Sequence, residues 1–201
     1  MISGIQESFV DYPGHPCVML FFPACPWDCP GCYNKASLAA AKPLAWDYVR
    51  GYLLDSMGLA PYVTLSGGEP TCDPDLFGVV RWAKDCGFSL KLDTNGIRPE
   101  VLADVLPDLS VVAMDLKDDP GDDDRYKAVA RADVNVNDVR RSIDLLSAWY
   151  AEDPESRTLI YRTTLFTPEI DPDRVRAYLR TRNLAFSDYV IQDDVRSPQG
   201  R

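Results

Sequence analysis

The sequence predicts an α/β fold of six βα units, and three observations carry that expectation. Short β-branched or aromatic runs recur at 17–22, 62–65, 89–93, 111–115, 159–165 and 189–192, each the length of a buried strand. Helical patterns lie between most of them, the alternation that builds a parallel sheet. Polar and glycine clusters follow four of the runs, where βα loops would gather. Six units are fewer than the eight of a closed (β/α)8 barrel. The expected sheet therefore stays open or curls into a partial (β/α)6 barrel, open on one side. Nothing in the 201 residues reads as a linker, so a single domain is expected over 1–196, with a mobile tail at 197–201.

Each element has its own warrant. Cys17 begins the apolar run Val18-Met19-Leu20-Phe21-Phe22, the first expected strand. Trp46, Val49 and Leu53 share one face of a helix, and Val139, Ile143, Leu146 and Tyr150 share one face of a later helix. Asp73-Pro74 and Asp171-Pro172 each offer a capping carboxylate with proline at the first helical position, and Gly87 follows the last turn of the helix after Asp73.

Composition narrows the function classes. The chain carries 31 acidic and 21 basic residues, a net charge of -10, which disfavours broad contact with a phosphate backbone. No apolar run approaches the ~20 residues that span a membrane. Six cysteines without a secretory signal suggest a reducing compartment, and the protein is expected in the cytoplasm. The acidic stretch Asp118 to Asp124 lacks the ligand spacing of a calcium loop and is expected as a solvated loop.

The most telling motif is Cys25-Pro26-Trp27-Asp28-Cys29-Pro30-Gly31-Cys32, a C-x3-C-x2-C run. An electron-transfer iron-sulfur cluster is held by four thiolates. Three leave one iron open to another ligand, as a catalytic zinc with three protein ligands stays open to substrate. A dithiol from Cys29 and Cys32, or zinc held by the three cysteines and His15, stays in contention on the motif alone. Cys17, at the far end of its strand, is a poor fourth ligand; Cys72 and Cys86 are expected to pack as small apolar residues.

The other clusters fall at equivalent strand ends. Ser66-Gly67-Gly68-Glu69-Pro70 follows the second strand, Asp93-Thr94-Asn95-Gly96 ends the third, and Asp115-Leu116-Lys117 ends the fourth. Taken singly, Gly67-Gly68 and Asn95-Gly96 read as turns. Taken together, paired glycines permit close backbone approach, Glu69 can pair with an ammonium, and Lys117 can pair with a carboxylate. An amino-acid-shaped ligand matches that pairing of charges.

On these residues the chain resembles the radical S-adenosylmethionine superfamily, whose hallmark is C-x3-C-x2-C with a Gly-Gly-Glu-Pro turn after the next strand. The likeness runs from Phe9-Val10-Asp11-Tyr12-Pro13-Gly14 through Arg162-Thr163-Thr164. Within the superfamily, Cys29-Pro30-Gly31-Cys32-Tyr33-Asn34-Lys35 is similar to the activases of glycyl radical enzymes, especially that of the anaerobic ribonucleoside-triphosphate reductase. Two departures separate it from other members: Gly31 stands where many carry an aromatic, and His15 is the single histidine, so no late histidine is present. The acidic stretch and the tail match nothing in that family.

The resemblance implies a partial radical SAM barrel and a 4Fe-4S cluster on Cys25, Cys29 and Cys32, with S-adenosylmethionine on the open iron. Gly67, Gly68 and Glu69 would meet its methionine end, and Gly31 and Tyr33 its adenine. Asp93, Thr94, Asp115 and Lys117 would surround the carboxylate, partly through a monovalent cation near Asp93 and Asp115, and Arg162 would be a further contact. The implied partners are the glycyl radical subunit of the reductase and an electron donor such as flavodoxin or ferredoxin. Another glycyl radical enzyme, or a small molecule as in a deazaguanine synthase, is the alternative target.

Overall fold

The computed structural model describes residues 1–193 except 36, 37, 39 and 41; the expected tail at 197–201 lies outside the described residues. Seven strands form one sheet in strict chain order. They are β1 (Gly4–Tyr12), β2 (His15–Phe22), β3 (Tyr62–Gly67), β4 (Ser89–Thr94), β5 (Val111–Asp115), β6 (Thr158–Leu165) and β7 (Asp188–Asp193). From β2 to β7 every pairing is parallel. The helices α1 (Trp46–Ser56), α2 (Leu76–Asp85), α3 (Pro99–Val105), α4 (Asp123–Ala130), α5 (Val136–Glu152) and α6 (Pro172–Thr181) fall between the parallel strands. The six expected parallel strands are all present, and the sheet curls into a partial barrel open on one side.

The strand register sorts the side chains into two faces. Leu20, Leu65, Leu92, Val112 and Leu159 stand in one cross-sheet row and are fully buried against the helices. The next row, Met19, Thr64, Lys91 and Val111, points to the concave face. Moving toward the C-terminal ends, that face carries Phe21, Ser66, Asp93 and Ala113, then Asp115 and Arg162. The outer core is mainly apolar, whereas the inner face turns from apolar to charged toward the rim.

Two boundaries differ from expectation. β1 is an additional strand, antiparallel to β2 and carrying a register shift between Ser8 and Tyr12. Its alternation is broken there, leaving Phe9 and Val10 exposed, which hid it from a periodicity reading. The helix expected from Asp73-Pro74 starts at Leu76 with Asp75 as N-cap. Asp73 instead accepts the Asp75 N–H at 2.9 Å in the turn before the helix. At the other site Asp171 caps α6 as expected, accepting the Asp173 N–H at 2.9 Å with Pro172 at the first position. Gly87 ends α2 with φ +94°.

The acidic stretch is not a free, solvated loop. Asp118 is buried and pairs with Arg125 at 2.9 Å, Asp119 and Asp122 pair with Arg174 at 3.2 and 3.1 Å, and Asp123 pairs with Arg140. Asp122 also caps α4 through the Arg125 N–H. The acids match arginines that α4, α5 and α6 bring to them, a complementarity that no local composition reveals. Among the described residues, no helix is long and apolar enough to cross a membrane.

Candidate active site

The loop after β2 carries the three cysteines, and it is tied to the end of β3 with its turn and to the end of α4. Gly68 N–H and Glu69 N–H donate to the carbonyls of Phe22 and Ala24, both at 2.7 Å. Asn34 Nδ2 donates to the Gly67 carbonyl at 2.7 Å, and Asp28 N–H to the Ala130 carbonyl at 3.1 Å. The glycine pair is what lets the two loops meet. Gly67 has φ +109°, and a Cβ there would lie 2.5 Å from the Phe22 backbone N and O, while one on Gly68 would strike the Ala24 carbonyl. The close approach these glycines permit is first to the chain itself. Gly31 plays a similar part under Phe166, whose ring occupies the space of a Cβ at that position.

One cavity on the rim is lined by Cys25, Cys29, Gly31, Cys32, Tyr33, Gly67, Gly68, Glu69, Asp93, Thr94, Asp115, Lys117 and Arg162. All thirteen residues singled out from the sequence therefore converge. Trp27, Asn34, Ser66, Asn95, Thr164, Phe166 and Gln192 complete the wall. The curl of the sheet brings the two ends of the chain order together here: Tyr33 Oη, in the loop after β2, donates to the Asp193 carbonyl at the end of β7 at 3.2 Å.

Geometry refines the expected parts. The Glu69 carboxylate is buried and accepts four hydrogen bonds, from Thr71 N and Oγ1 at 3.1 and 2.6 Å, Thr94 Oγ1 at 2.7 Å and Asn95 N at 2.6 Å. It thus braces the β3 and β4 loops against each other. Thr94 belongs to the same brace, its hydroxyl also accepting the Gly96 N–H at 3.0 Å.

The charged row forms a chain of alternating sign. Lys91 Nζ bonds Asp93 at 2.6 Å, Arg162 lies 3.3 Å from Asp93 and bonds Asp115 at 2.8 Å, and Lys117 bonds Asp115 at 3.0 Å. Ser66 Oγ donates to Asp93 at 2.9 Å. Burial pushes the Asp115 carboxyl up, but Arg162 and Lys117 outweigh it and hold the group at about 2. For Lys117, burial works against the charge, and Asp115 and Cys29 overcome it, so its ammonium is held above the ordinary lysine value. Between Asp93 and Asp115, where a monovalent cation was expected, the Arg162 guanidinium supplies the bridging positive charge.

Lys91 carries only a positional signal in the sequence: two residues before Asp93 on the same strand, it must share that face. Asn95 reads in sequence as a turn residue, and Trp27 and Phe166 carry no signal at all. At the opposite end of the strands the Tyr12 ring packs on Tyr62 at 4.8 Å, and His15 stacks on Tyr62 at 4.0 Å. His15 opens β2 while Cys25 follows its end, roughly 20 Å or more away along the strand, which removes His15 as a zinc ligand. Cys17 packs on the concave face with Tyr12, Met19 and Val111, away from the cysteine loop.

The donor set and its cradle suit an iron-sulfur group. Cys25, Cys29 and Cys32 all line one cavity. Burial pushes the Cys25 thiol up to about 12 and raises Cys29, so loading a metal releases protons. The buried indole N–H of Trp27, inside the loop, has no hydrogen-bond partner among the described residues. As they stand, no group of three His, Cys, Asp or Glu among the described residues is arranged to hold a metal ion. The fit rests on sulfur donors converging on one wall.

A parallel half-barrel with three cysteines after its first parallel strand, a glycine pair after the next and a charged rim defines a class of cluster-dependent α/β proteins. The chain belongs to the Radical SAM superfamily, whose family model matches residues 19–148; that family implies a 4Fe-4S cluster and S-adenosylmethionine. A protein of Methanocaldococcus jannaschii, named provisionally as a glycyl-radical enzyme activating enzyme, is 29% identical over 153 residues, 71% of this chain and 60% of that protein. The AdoMet-dependent heme synthase of Methanosarcina barkeri is 32% identical over 82 residues, 39% of this chain and 24% of the synthase. The chain thus spans less than two thirds of either relative. Among solved structures, Streptococcus suis SuiB bound to S-adenosylmethionine matches at TM-score 0.65 and 11% identity, over 87% of this chain and 40% of SuiB. TYW1 with a lysine-pyruvate adduct matches at 0.58 and 17%, over 88% of this chain and 64% of TYW1. At these identities the structures share the fold.

Proposed function

We propose that this protein is a glycyl radical enzyme activase that cleaves S-adenosylmethionine reductively, with the anaerobic ribonucleoside-triphosphate reductase as its partner. The relative named as an activating enzyme, aligned over 71% of the chain, is the observation that carries this reading. The side of the barrel left open, through which a polypeptide loop can reach the cavity, agrees with it.

Cys25, Cys29 and Cys32 would hold the cluster. Bound there, the cluster would supply the electron for reductive cleavage of S-adenosylmethionine, the chemistry that belongs to the cofactor and not to the side chains. The chain's own residues do the rest. The Gly67 to Glu69 turn offers backbone groups to the ammonium, with the Glu69 carboxylate holding that turn in place. Arg162 and Lys117 present positive charge to the carboxylate, while Asp93, Thr94 and Asp115 hold those cations and the loop in position. Gly31 and Tyr33 form the adenine side. The Tyr12, Tyr62 and His15 rings pack together at the far end of the strands, away from this chemistry. Holding the reacting atoms in a fixed orientation can lower a barrier by about 7–11 kcal/mol.

The test is an anaerobic mixture of the protein, a reductant or electron donor such as flavodoxin or ferredoxin, S-adenosylmethionine and the reductase from the same organism, read by electron paramagnetic resonance. A glycyl doublet on the reductase is expected. Cofactor cleavage without the doublet would move the target to another glycyl radical enzyme or to a small molecule. Cys29→Ser is expected to abolish 5'-deoxyadenosine formation, and retained formation would overturn the cluster assignment.

A further inference from the structure

We propose that Asn95 is a positioning residue for Cys25, donating a side-chain N–H to its sulfur and thereby raising the reduction potential of the cluster. The proposal rests on the cluster reading above. Asn95 Nδ2 lies 3.9 Å from Cys25 Sγ. Its orientation is fixed by its other atoms: Oδ1 accepts the Ile97 N–H at 3.1 Å, which turns Nδ2 the opposite way, and the Asn95 N–H donates to Glu69 Oε2 at 2.6 Å. The residue is 6% exposed, so water does not compete for the amide.

An N–H aimed at a ligand sulfur stabilises the negative charge that grows when a cluster takes up an electron, and such bonds are among the determinants of cluster potential. The neighbouring sulfur has the opposite surroundings, since Cys29 Sγ faces the Ala130 carbonyl at 3.8 Å. Cys25 and Cys29 therefore have unlike surroundings, an N–H at the first and a carbonyl at the second. Asn95 is also joined to the Glu69 brace, so a shift of the Gly67 to Glu69 turn on ligand binding is transmitted to the Cys25 sulfur through two hydrogen bonds.

A turn role and a tuning role make different demands. Asn95→Asp keeps the oxygen that accepts Ile97 N–H and removes the donor, whereas Asn95→Ala removes both. Wild type and both variants are reconstituted anaerobically, assayed for iron and sulfide, and titrated potentiometrically with detection of the reduced cluster by electron paramagnetic resonance. The expected result is full cluster content with a more negative midpoint in both variants. The reduction equilibrium should fall about three- to tenfold, tenfold being 59 mV for one electron. An unchanged midpoint in either variant overturns the proposal, because a shift in Asn95→Asp alone is the effect of its added negative charge. If Asn95→Asp does not hold a cluster, asparagine-labelled 15N wild type is examined by pulsed methods. A nitrogen coupling to the cluster supports the bond, and its absence overturns it. A wild type that binds no cluster would instead defeat the reading on which this one rests.

Discussion

Asp115 is held between two cations, and its pH behaviour follows from them. Its folded pKa of about 2 lies below the ordinary 3.8, so the ionised carboxylate stabilises the fold fully above pH 4. That contribution fades as the pH falls from about 4 to about 2, and amounts to about 2 kcal/mol. Asp115→Asn should therefore be less stable than wild type at pH 7 by about that amount, with the gap narrowing across this window in chemical denaturation. A gap independent of pH would mean that Arg162 and Lys117 do not act on the ionised form. Gly67 makes a steric demand instead. With φ +109° and the Phe22 backbone 2.5 Å from a new Cβ, Gly67→Ala should cost about 2–4 kcal/mol, measurable in the same way. The chemistry of the rim was legible residue by residue because cysteines, paired glycines and charges at strand ends advertise themselves. Lys91 and Asn95 were not, since their roles depend on which atoms the register and the Asn95 turn bring within reach of Asp93 and Cys25.

Elements are fixed here by local chemistry of unequal strength. Asp171 caps α6 directly, and Asp171→Ala should lower stability by about 1 kcal/mol. Arg174 joins α6 to the acidic loop through exposed pairs, so Arg174→Ala should cost no more than ~1 kcal/mol and the loss should shrink in high salt. A larger or salt-independent loss would show that the loop depends on Arg174 for its fold. The parallel strands and main helices could be read from periodicity because each has one apolar face. β1 could not, because its register shift breaks the alternation where Phe9 and Val10 face outward. The acidic loop escapes a local reading for a related reason: its arginine partners lie 7 to 55 residues from the acids they pair with, and only the fold assembles them.

At the scale of the molecule, the concave face grades from aromatic packing at one end to charge at the other, which concentrates the chemistry on one rim and leaves the lateral opening as the approach. The strictly sequential strand order has a further consequence for the chain as it is made. Each strand adds to the one before it, and no later strand must part an edge already paired. The three cysteines emerge early, while Phe166, which packs over Gly31, comes 134 residues after Cys32. At a synthesis rate of about 5–20 residues per second, the cysteine loop of a nascent chain exists for roughly ten seconds before Phe166 can pack against Gly31.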